Sequence, residues 1–367
     1  MRAVVKVINE AIRKADAECL PCDRVNLDYD RHREYLESEE HRAEDLFENP
    51  APRGASILTA DIDPSVPSIL RYFLDGSRRT YKMADLIVRG RYLPLVAGQV
   101  GVAVVSRDTE CKRLTPMRDF CFFESVLAFP KELATNEDLA ALGSRIRQET
   151  GQSFVLIHYD VKADRDPIDL GIASIMNHMA GLELRAVQKL VEERMLSGYS
   201  MLVKDGPLQY KNLRGRGFDI TQFRNVIGLS KTFRPSFAVG KGRGRQDVGA
   251  LTVALELGER TPVFKTLEAE ESRLIGMWYL RIRPRSRMSN PLEGIIKAEC
   301  YAIEDQEVQD GLDSERVRTI SAHLLRERNV TPYGQDSRWA THIYPVYCAE
   351  RFIKASFLSD IRFEALF

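Results

Sequence analysis

The sequence predicts an α/β fold, a mixed and twisted β-sheet flanked by helices, and three features support this prediction. Two apolar runs with the pattern of buried strands end in Asp-Gly, at Asp75 and at Asp205. Between them, residues 171–196 have the periodicity of a long amphipathic helix, which leads directly into the second of these strands. A helix followed by a strand is the αβ step of a sheet that contains parallel strands.

The composition is that of a globular protein without an overall attraction to nucleic acid. The chain has 367 residues, of which 44% are apolar and 29% are charged. Basic and acidic residues both number 53, so any binding of nucleic acid must come from local basic patches. No apolar run is long enough to cross a membrane, and the charged N-terminal segment is unlike a signal peptide. With only six scattered cysteines, a reduced cytoplasmic protein is expected.

Residues 1–55 predict an N-terminal helical arm. A helix is followed by a highly charged segment with few apolar anchors, and the sequence Ala-Pro-Arg-Gly at 51–54 marks a boundary. The pair Cys19 and Cys22 has the spacing of metal ligands or of a redox motif. No second pair of ligands and no βαβ pattern accompanies it, so ordinary cysteines are expected. One large domain is predicted beyond this boundary, over residues 56–367.

The first strands of the sheet are predicted directly after this boundary. Residues 68–74 form a strand pattern that stops at Asp75-Gly76, and residues 82–91 and 92–105 predict further strands. Asp-Gly by itself is also typical of a hairpin turn. Residues 107–150 are more polar and predict a helical insertion, with its clearest helix in the second half.

The long helix carries a carboxylate within its apolar stripe. At about 100° per residue, Glu183 lies near the centre of the arc that contains Met179, Leu182 and Val187. Burying a lone carboxylate is costly unless it is paired, protonated or bound to a cation. Glu183 is therefore either half of a buried ion pair or part of a shared site, and the strand that soon ends in Asp205 favours the shared site.

The C-terminal half offers basic groups that suit phosphate. Residues 223–229 predict a strand that leads to Lys231, which would hold a phosphate or simply lie at the surface. Lys241, Arg243 and Arg245 belong to a glycine-rich basic loop, suited to phosphate contact or to solvation. The remaining predicted elements are strands at 273–283 and 294–303, a helix at 313–328 and a terminal helix opened by Tyr344-Pro345.

In their order along the chain, these motifs resemble those of the NurA nucleases, the partners of HerA-type hexameric DNA translocases. The likeness runs from about residue 56 to the C-terminus. The matching motifs are Leu74-Asp75-Gly76-Ser77, the helix with Glu183, Asp205-Gly206-Pro207-Leu208, Val-Ile-Gly-Leu-Ser-Lys at 226–231, and Tyr344-Pro345.

The resemblance implies an RNase H-like domain that cleaves DNA with Mn²⁺ or Mg²⁺, as a 5′-to-3′ exonuclease and as a single-strand endonuclease. It further implies a homodimer that receives DNA from the translocase, in DNA end resection and repair or in antiphage defence. Asp75, Glu183 and Asp205 would bind the metal, and Lys231 and Tyr344 would line the site. Carboxylate oxygens suit these ions, and two ions about 4 Å apart would activate water and stabilise the leaving oxygen.

Phosphate contacts that do not depend on base sequence would come from basic residues near these motifs. Arg78 and Arg79 follow the first Asp-Gly, and the basic loop at 241–245 adds Lys241, Arg243 and Arg245. Such contacts position nucleic acid without specifying bases.

Two departures from the family pattern leave other interpretations open. The histidine that the family carries eight residues after its tyrosine is Phe352 here, with Glu350 and Lys354 as the nearest polar residues on the helix. Pro207 also stands where a serine is common. One alternative is therefore a catalytically altered or inactive NurA-like adaptor that clamps DNA and docks on the ATPase. Another is a different RNase H-like enzyme that is guided by RNA or cuts RNA.

Overall fold

A large mixed β-sheet with helices on both faces organises the chain, which confirms the predicted α/β class. It is seen in a computed structural model, which describes residues 3–13, 16–28, 43–52, 54, 56–63, 65–108, 110, 112–133, 136–208, 210, 217–240, 245–268, 273–328 and 337–367. The helices are α1 (Ala3–Ile12), α2 (Asn136–Thr150), α3 (Pro167–Glu192), α4 (Val248–Ala254), α5 (Asp305–Asp310), α6 (Ser314–Arg326), α7 (Tyr344–Ser356) and α8 (Asp360–Glu364). Within the described ranges, no helix is long and apolar enough to span a bilayer.

The strands fall into an N-terminal and a C-terminal group along the chain. The first group is β1 (Ala17–Asn26), β2 (Ala43–Leu46), β3 (Glu48–Asn49), β4 (Ile57–Leu58), β5 (Leu70–Val88), β6 (Arg91–Arg107), β7 (Leu114–Pro116), β8 (Phe122–Pro130) and β9 (Val155–Tyr159). The second group is β10 (Met201–Asp205), β11 (Val226–Ser230), β12 (Ala238–Val239), β13 (Gln246–Asp247), β14 (Glu259–Arg260), β15 (Phe264–Glu268), β16 (Arg273–Arg281), β17 (Ile295–Tyr301) and β18 (Leu312–Asp313).

Among the described residues, the main sheet has 14 strands, and its central path runs β2-β15-β16-β17-β11-β10-β5-β6-β8-β9. The pairs β5–β10, β10–β11 and β8–β9 are parallel. The other neighbours on this path are antiparallel. β5 therefore stands between an antiparallel meander with β6 and β8 on one side and the parallel strands β10 and β11 on the other. In sheets of this kind, ligand sites form beside the carboxyl ends of parallel strands.

The strand that carries Asp75 is much longer than predicted. β5 does not stop at Asp75-Gly76 but continues to Val88, and it pairs with β6 from Tyr72 to Val88. The hairpin turns at Arg89 and Gly90, which both have positive φ, as a two-residue primed turn requires. The prediction that this strand ends at Asp75 is wrong, because the second half of β5 has its own core with α1 and α2, which the pattern up to Asp75 does not show.

The predicted N-terminal arm and the predicted helical insertion are also corrected. After α1, β1 pairs antiparallel with β5, and α1 itself is buried through Val4 and Ile8, so the segment is part of the fold. The charged residues 29–42 lie outside the described ranges. In the segment 107–150 the helix α2 is present, but β8 is an internal strand between β6 and β9. β8 is buried on both faces from Val126 onward, so it lacks the polar alternation that indicates a strand.

Helices divide the side chains of the sheet between two cores. α3 packs on the face that carries Leu74 and Leu202. α6 and α7 pack on the opposite face, which carries Phe73 and Val203. Because successive side chains point to opposite faces of a strand, Asp75 and Asp205 belong to the α7 face, and Gly76 and Lys204 belong to the α3 face.

Candidate functional site

Asp75 and Asp205 lie side by side on the α7 face, where β10 ends beside β5. Lys204 is opposite Leu74 in the parallel ladder, and this register brings the two following residues together. A hydrogen bond joins their side chains. Two carboxyl groups form such a bond only when one of them holds a proton, so this contact favours a proton shared between Asp75 and Asp205.

Lys231 stands directly beside this pair, at the end of β11. Its Nζ lies 2.9 Å from Oδ2 of Asp205. The Lys231 side chain is 9% exposed, whereas that of Asp205 is 23% exposed. Asp75 is buried. The two aspartates and the lysine therefore form a half-sheltered site that opens to solvent on the Asp205 side.

The environment of the site separates the pKa values of its two carboxyl groups. Burial and the negative charge of Asp205 raise the pKa of Asp75 well above its usual value. Burial acts in the same direction on Asp205, but the ammonium of Lys231 outweighs it and lowers the pKa of that carboxyl. Burial disfavours the charged form of Lys231, yet the two aspartates raise its pKa. Protonation is therefore favoured on Asp75 over Asp205, and Asp205 forms an ion pair with Lys231.

Glu183 lies on the other face of the sheet, within α3, and forms a buried ion pair. Its Oε2 is 3.2 Å from Nζ of Lys204 and accepts a hydrogen bond of 2.9 Å from the hydroxyl of Tyr210. The ion pair that the sequence left as one alternative is thus the observed arrangement. Glu183 packs closely on Gly76, the residue after Asp75, and a Cβ added to Gly76 would lie 2.4 Å from its Oε1.

This close approach predicts that Gly76→Ala destabilises the protein. The added methyl group would push the Glu183 carboxylate away from Lys204 and Tyr210, and we expect a loss of about 1–3 kcal/mol in the free energy of unfolding. Urea denaturation measures the loss. Gly198→Ala is the matched control, since nothing lies within 4 Å of a Cβ at Gly198. A Gly76→Ala protein as stable as the wild type would contradict the packing described.

The predicted residues of the terminal helix α7 make contacts of their own. Tyr344 is about half exposed and shares a hydrogen bond with Cys348. Both residues line a separate cavity of about 320 Å³ with Lys112 and Leu114. Phe352, which stands at the histidine position of the family, packs edge-to-face on Phe123 with ring centroids 5.8 Å apart. The role of Tyr344 in the site stays a prediction.

Glu350, on α7, lies near the site, although the sequence pattern does not predict it there. Its side chain is only 14% exposed and accepts a hydrogen bond of 2.6 Å from Nζ of Lys354. After burial and Asp205, the charge of Glu350 also raises the pKa of Asp75. Helical spacing could have indicated that Glu350 faces the sheet, because it follows the buried Val346 by one turn.

The basic residues predicted to contact nucleic acid lie in different settings. Arg78 pairs with Asp28, and Arg79 pairs with Asp360 while its guanidinium lies over the ring of Phe357. Arg245 is exposed. Lys241 and Arg243 fall outside the described residues. Nucleic-acid binding by these residues stays a prediction.

In the part of the chain that the structure describes, no three His, Cys, Asp or Glu side chains are grouped so that they could hold a metal ion. Asp205 is paired with Lys231, and Glu183 is paired with Lys204 on the other face of the sheet. Asp75 and Asp205 nevertheless fit a divalent cation, since they present oxygen donors to each other across a shared proton. In comparisons with known proteins, no family model and no curated protein matched the chain.

Proposed function

We propose that this chain is a metal-dependent DNA nuclease with a NurA-type, RNase H-like fold. The observation that carries the proposal is the neighbouring carboxyl pair of buried Asp75 and Asp205, held beside Lys231 where parallel strands meet. A buried carboxyl pair is costly for folding alone, and perturbed groups of this kind cluster at functional sites. Oxygen donors without nitrogen or sulfur ligands favour Mn²⁺ or Mg²⁺.

The topology supports the fold part of the proposal. The antiparallel meander of β5, β6 and β8 is followed by α2 and β9 and then by α3, which leads to β10, and β10 and β11 run parallel to β5. The first Asp-Gly lies in the first strand of the meander, and the second lies at the end of the first parallel strand. This mixed order is the arrangement that the motif resemblance implies.

The residues of the site have separate roles in phosphodiester hydrolysis. Asp75 and Asp205 would hold the cation, which when bound supplies Lewis-acid polarisation and a more acidic water. Lys231 lies at the edge of the pair and would neutralise negative charge on the scissile phosphate. Glu350 adds negative charge on the same face, which raises the pKa of Asp75 and also attracts a cation to the site.

Cation binding is expected to release a proton from Asp75. The raised pKa favours the protonated form of this carboxyl, which must ionise to become a ligand, so Mn²⁺ affinity is expected to fall as the pH is lowered through that pKa. Isothermal titration calorimetry in two buffers with different ionisation enthalpies counts the protons, and about one per ion is expected. Binding without proton release and without pH dependence would contradict the shared proton.

The proposed partners are DNA, a HerA-type hexameric ATPase and a second copy of this chain. They rest on the motif resemblance, as does a role in DNA end processing and repair or in antiphage defence. Co-purification with a hexameric ATPase encoded beside this chain tests the partnership, and sedimentation analysis tests the homodimer.

A non-catalytic adaptor that clamps DNA and docks on the ATPase is the second candidate. Two observations favour it, the neutralisation of Glu183 by Lys204 and the packing of Phe352 against Phe123. The family pattern has a metal-binding glutamate and a histidine at these two positions. Here the glutamate is paired with a lysine and the histidine is replaced by Phe352. The proton-sharing pair favours the nuclease, because a clamp has no need of it.

Cleavage of end-labelled nucleic acid separates these candidates. Single- and double-stranded DNA labelled at the 5′ or 3′ end is incubated with Mn²⁺, Mg²⁺ or EDTA, with RNA of the same sequence in parallel. Metal-dependent cutting of DNA supports the nuclease, and the labels give its polarity. Binding of DNA without cutting, even with the ATPase added, supports the adaptor. Cutting of RNA alone would indicate an RNA-cutting enzyme of the same fold.

A further inference from the structure

The turn that follows Asp205 is held by hydrogen bonds at each backbone polar group from Gly206 to Leu208. Gly206 donates to the carbonyl of Leu229 at 2.7 Å, and its own carbonyl accepts from Leu229 at 3.1 Å. The amide of Leu208 donates to Oε2 of Glu299 at 2.9 Å, and its carbonyl accepts from the hydroxyl of Tyr301 at 2.6 Å. The residue between them is a proline, which has no amide proton to satisfy.

Lys204 provides the remaining bonds of this turn from the α3 face. Its Nζ donates to the carbonyl of Asp205 at 2.8 Å and to the carbonyl of Pro207 at 3.2 Å. The third contact of the ammonium is Glu183, at 3.2 Å. An ammonium has three donors, so all of them are used within this arrangement. Lys204 is therefore bound to the turn and to Glu183, and has no donor left for a substrate.

Glu183 holds this lysine in place. The Glu183 carboxylate also accepts the hydroxyl of Tyr210, and the ring of Tyr210 lies 5.1 Å from the Lys204 ammonium. The side chains of Lys204 and Glu183 are 5% and 8% exposed. A buried lysine without this counter-ion would lose its charge or leave the interior.

We propose that Lys204 and Glu183 are positioning residues for Asp205. Lys204 holds the turn after Asp205 through its hydrogen bonds, and Glu183 holds Lys204 in place. This inference rests on the proposed function, since Asp205 is the residue being positioned. It changes the role of Glu183 from a metal ligand to the support of one. Residues that orient a ligand commonly contribute about 10–100-fold to metal affinity, while the ligand itself is indispensable.

The test compares Mn²⁺ affinity with thermal stability in four variants, Glu183→Gln, Lys204→Met, the double variant of both, and Asp205→Asn as the loss of a ligand. Glutamine at 183 still accepts hydrogen bonds from Lys204 and Tyr210 but removes the counter-ion of Lys204, so Mn²⁺ affinity is expected to fall by no more than about 10–100-fold, well short of the loss of a ligand. Lys204→Met is expected to weaken Mn²⁺ binding by about 10–100-fold and to lower the melting temperature.

The double variant separates positioning from a merely structural ion pair. It removes the uncompensated charge of Glu183, so its melting temperature is expected to recover. The carbonyls of Asp205 and Pro207 still lack the hydrogen bonds from Lys204, so Mn²⁺ affinity is expected to stay low. The inference is overturned if the double variant recovers both quantities. It is equally overturned if Glu183→Gln loses Mn²⁺ binding as completely as Asp205→Asn, which would make Glu183 a ligand.

If the wild-type protein binds no Mn²⁺, the proposed function fails and the positioning role is decided separately. Amide hydrogen exchange of Gly206 and Leu208 in the metal-free protein then provides the readout. Faster exchange of both amides in the double variant than in the wild type supports the role of Lys204 in the turn. Unchanged exchange contradicts it.

Discussion

Replacing Asp75 with asparagine is expected to stabilise the metal-free protein against heat and, at the same time, to abolish metal-dependent cleavage of DNA. The pKa of Asp75 is raised in the folded state by burial and by Asp205. This shift stabilises the folded state fully at a pH below the pKa of Asp75 in the unfolded chain. The stabilisation is lost as the pH rises through the pKa of Asp75 in the folded protein. Asparagine is neutral at every pH, so the variant escapes this loss and its advantage over the wild type grows with pH.

The loss of cleavage follows from the loss of a metal ligand. A bound cation supplies several kcal/mol of transition-state stabilisation, so a decrease of at least about 10³-fold in the cleavage rate is expected. Thermal melting in EDTA at acidic and at alkaline pH measures the first effect, and the labelled-DNA assay measures the second. Asp85→Asn on the same strand is the matched control and is expected to cleave normally. An Asp75→Asn protein that cleaves at the wild-type rate would refute this role for Asp75.

The second large effect is expected for Arg260→Met, which should destabilise the protein by about 3–5 kcal/mol. Arg260 makes two hydrogen bonds to the carboxylate of Glu48, and both side chains are fully buried. Glu48 also accepts the amide of Val263 and the hydroxyl of Ser314. Methionine fills the volume of arginine but leaves the buried Glu48 without its counter-ion.

Urea denaturation measures this effect, and two comparisons define it. Arg285→Met breaks an exposed pair with Glu256 and is expected to cost no more than about 1 kcal/mol. Adding Glu48→Gln to Arg260→Met removes the buried charge and is expected to restore part of the stability. A loss for Arg260→Met as small as that for Arg285→Met would show that Glu48 and Arg260 do not tie β3 into the fold.

Local patterns in the sequence were sufficient to predict that three side chains of the candidate site would lie close together. Asp75, Asp205 and Lys231 each follow an apolar run, and in parallel strands such positions meet at one edge. The long helix was predicted within a few residues of its bounds, although its start was placed too late. The missed signals were Asp166, which caps the helix through its side chain, and Pro167 at the first turn.

Features that depend on tertiary context could not be predicted in the same way. Glu183 lies on the α3 face with its partner Lys204, whose side chain points to that face because side chains alternate along β10. In the sequence, Lys204 is visible only as part of an apolar run. β1 was hidden because it reads AECLPCDRVN, with polar residues and a proline, and is stabilised by pairing with β5. Glu350 looks like a surface residue until the packing of α7 on β5 is known.

The most direct test of the proposed site is the titration of Mn²⁺ into the metal-free wild-type protein, Asp75→Asn and Asp205→Asn, followed by calorimetry at neutral pH. Asp85→Asn again serves as the control for the loss of one carboxylate from the same strand. Saturable binding is predicted for the wild type and for Asp85→Asn, and its loss is predicted for the other two variants. Equal binding by all four proteins, or none by the wild type, would contradict a metal site at Asp75 and Asp205.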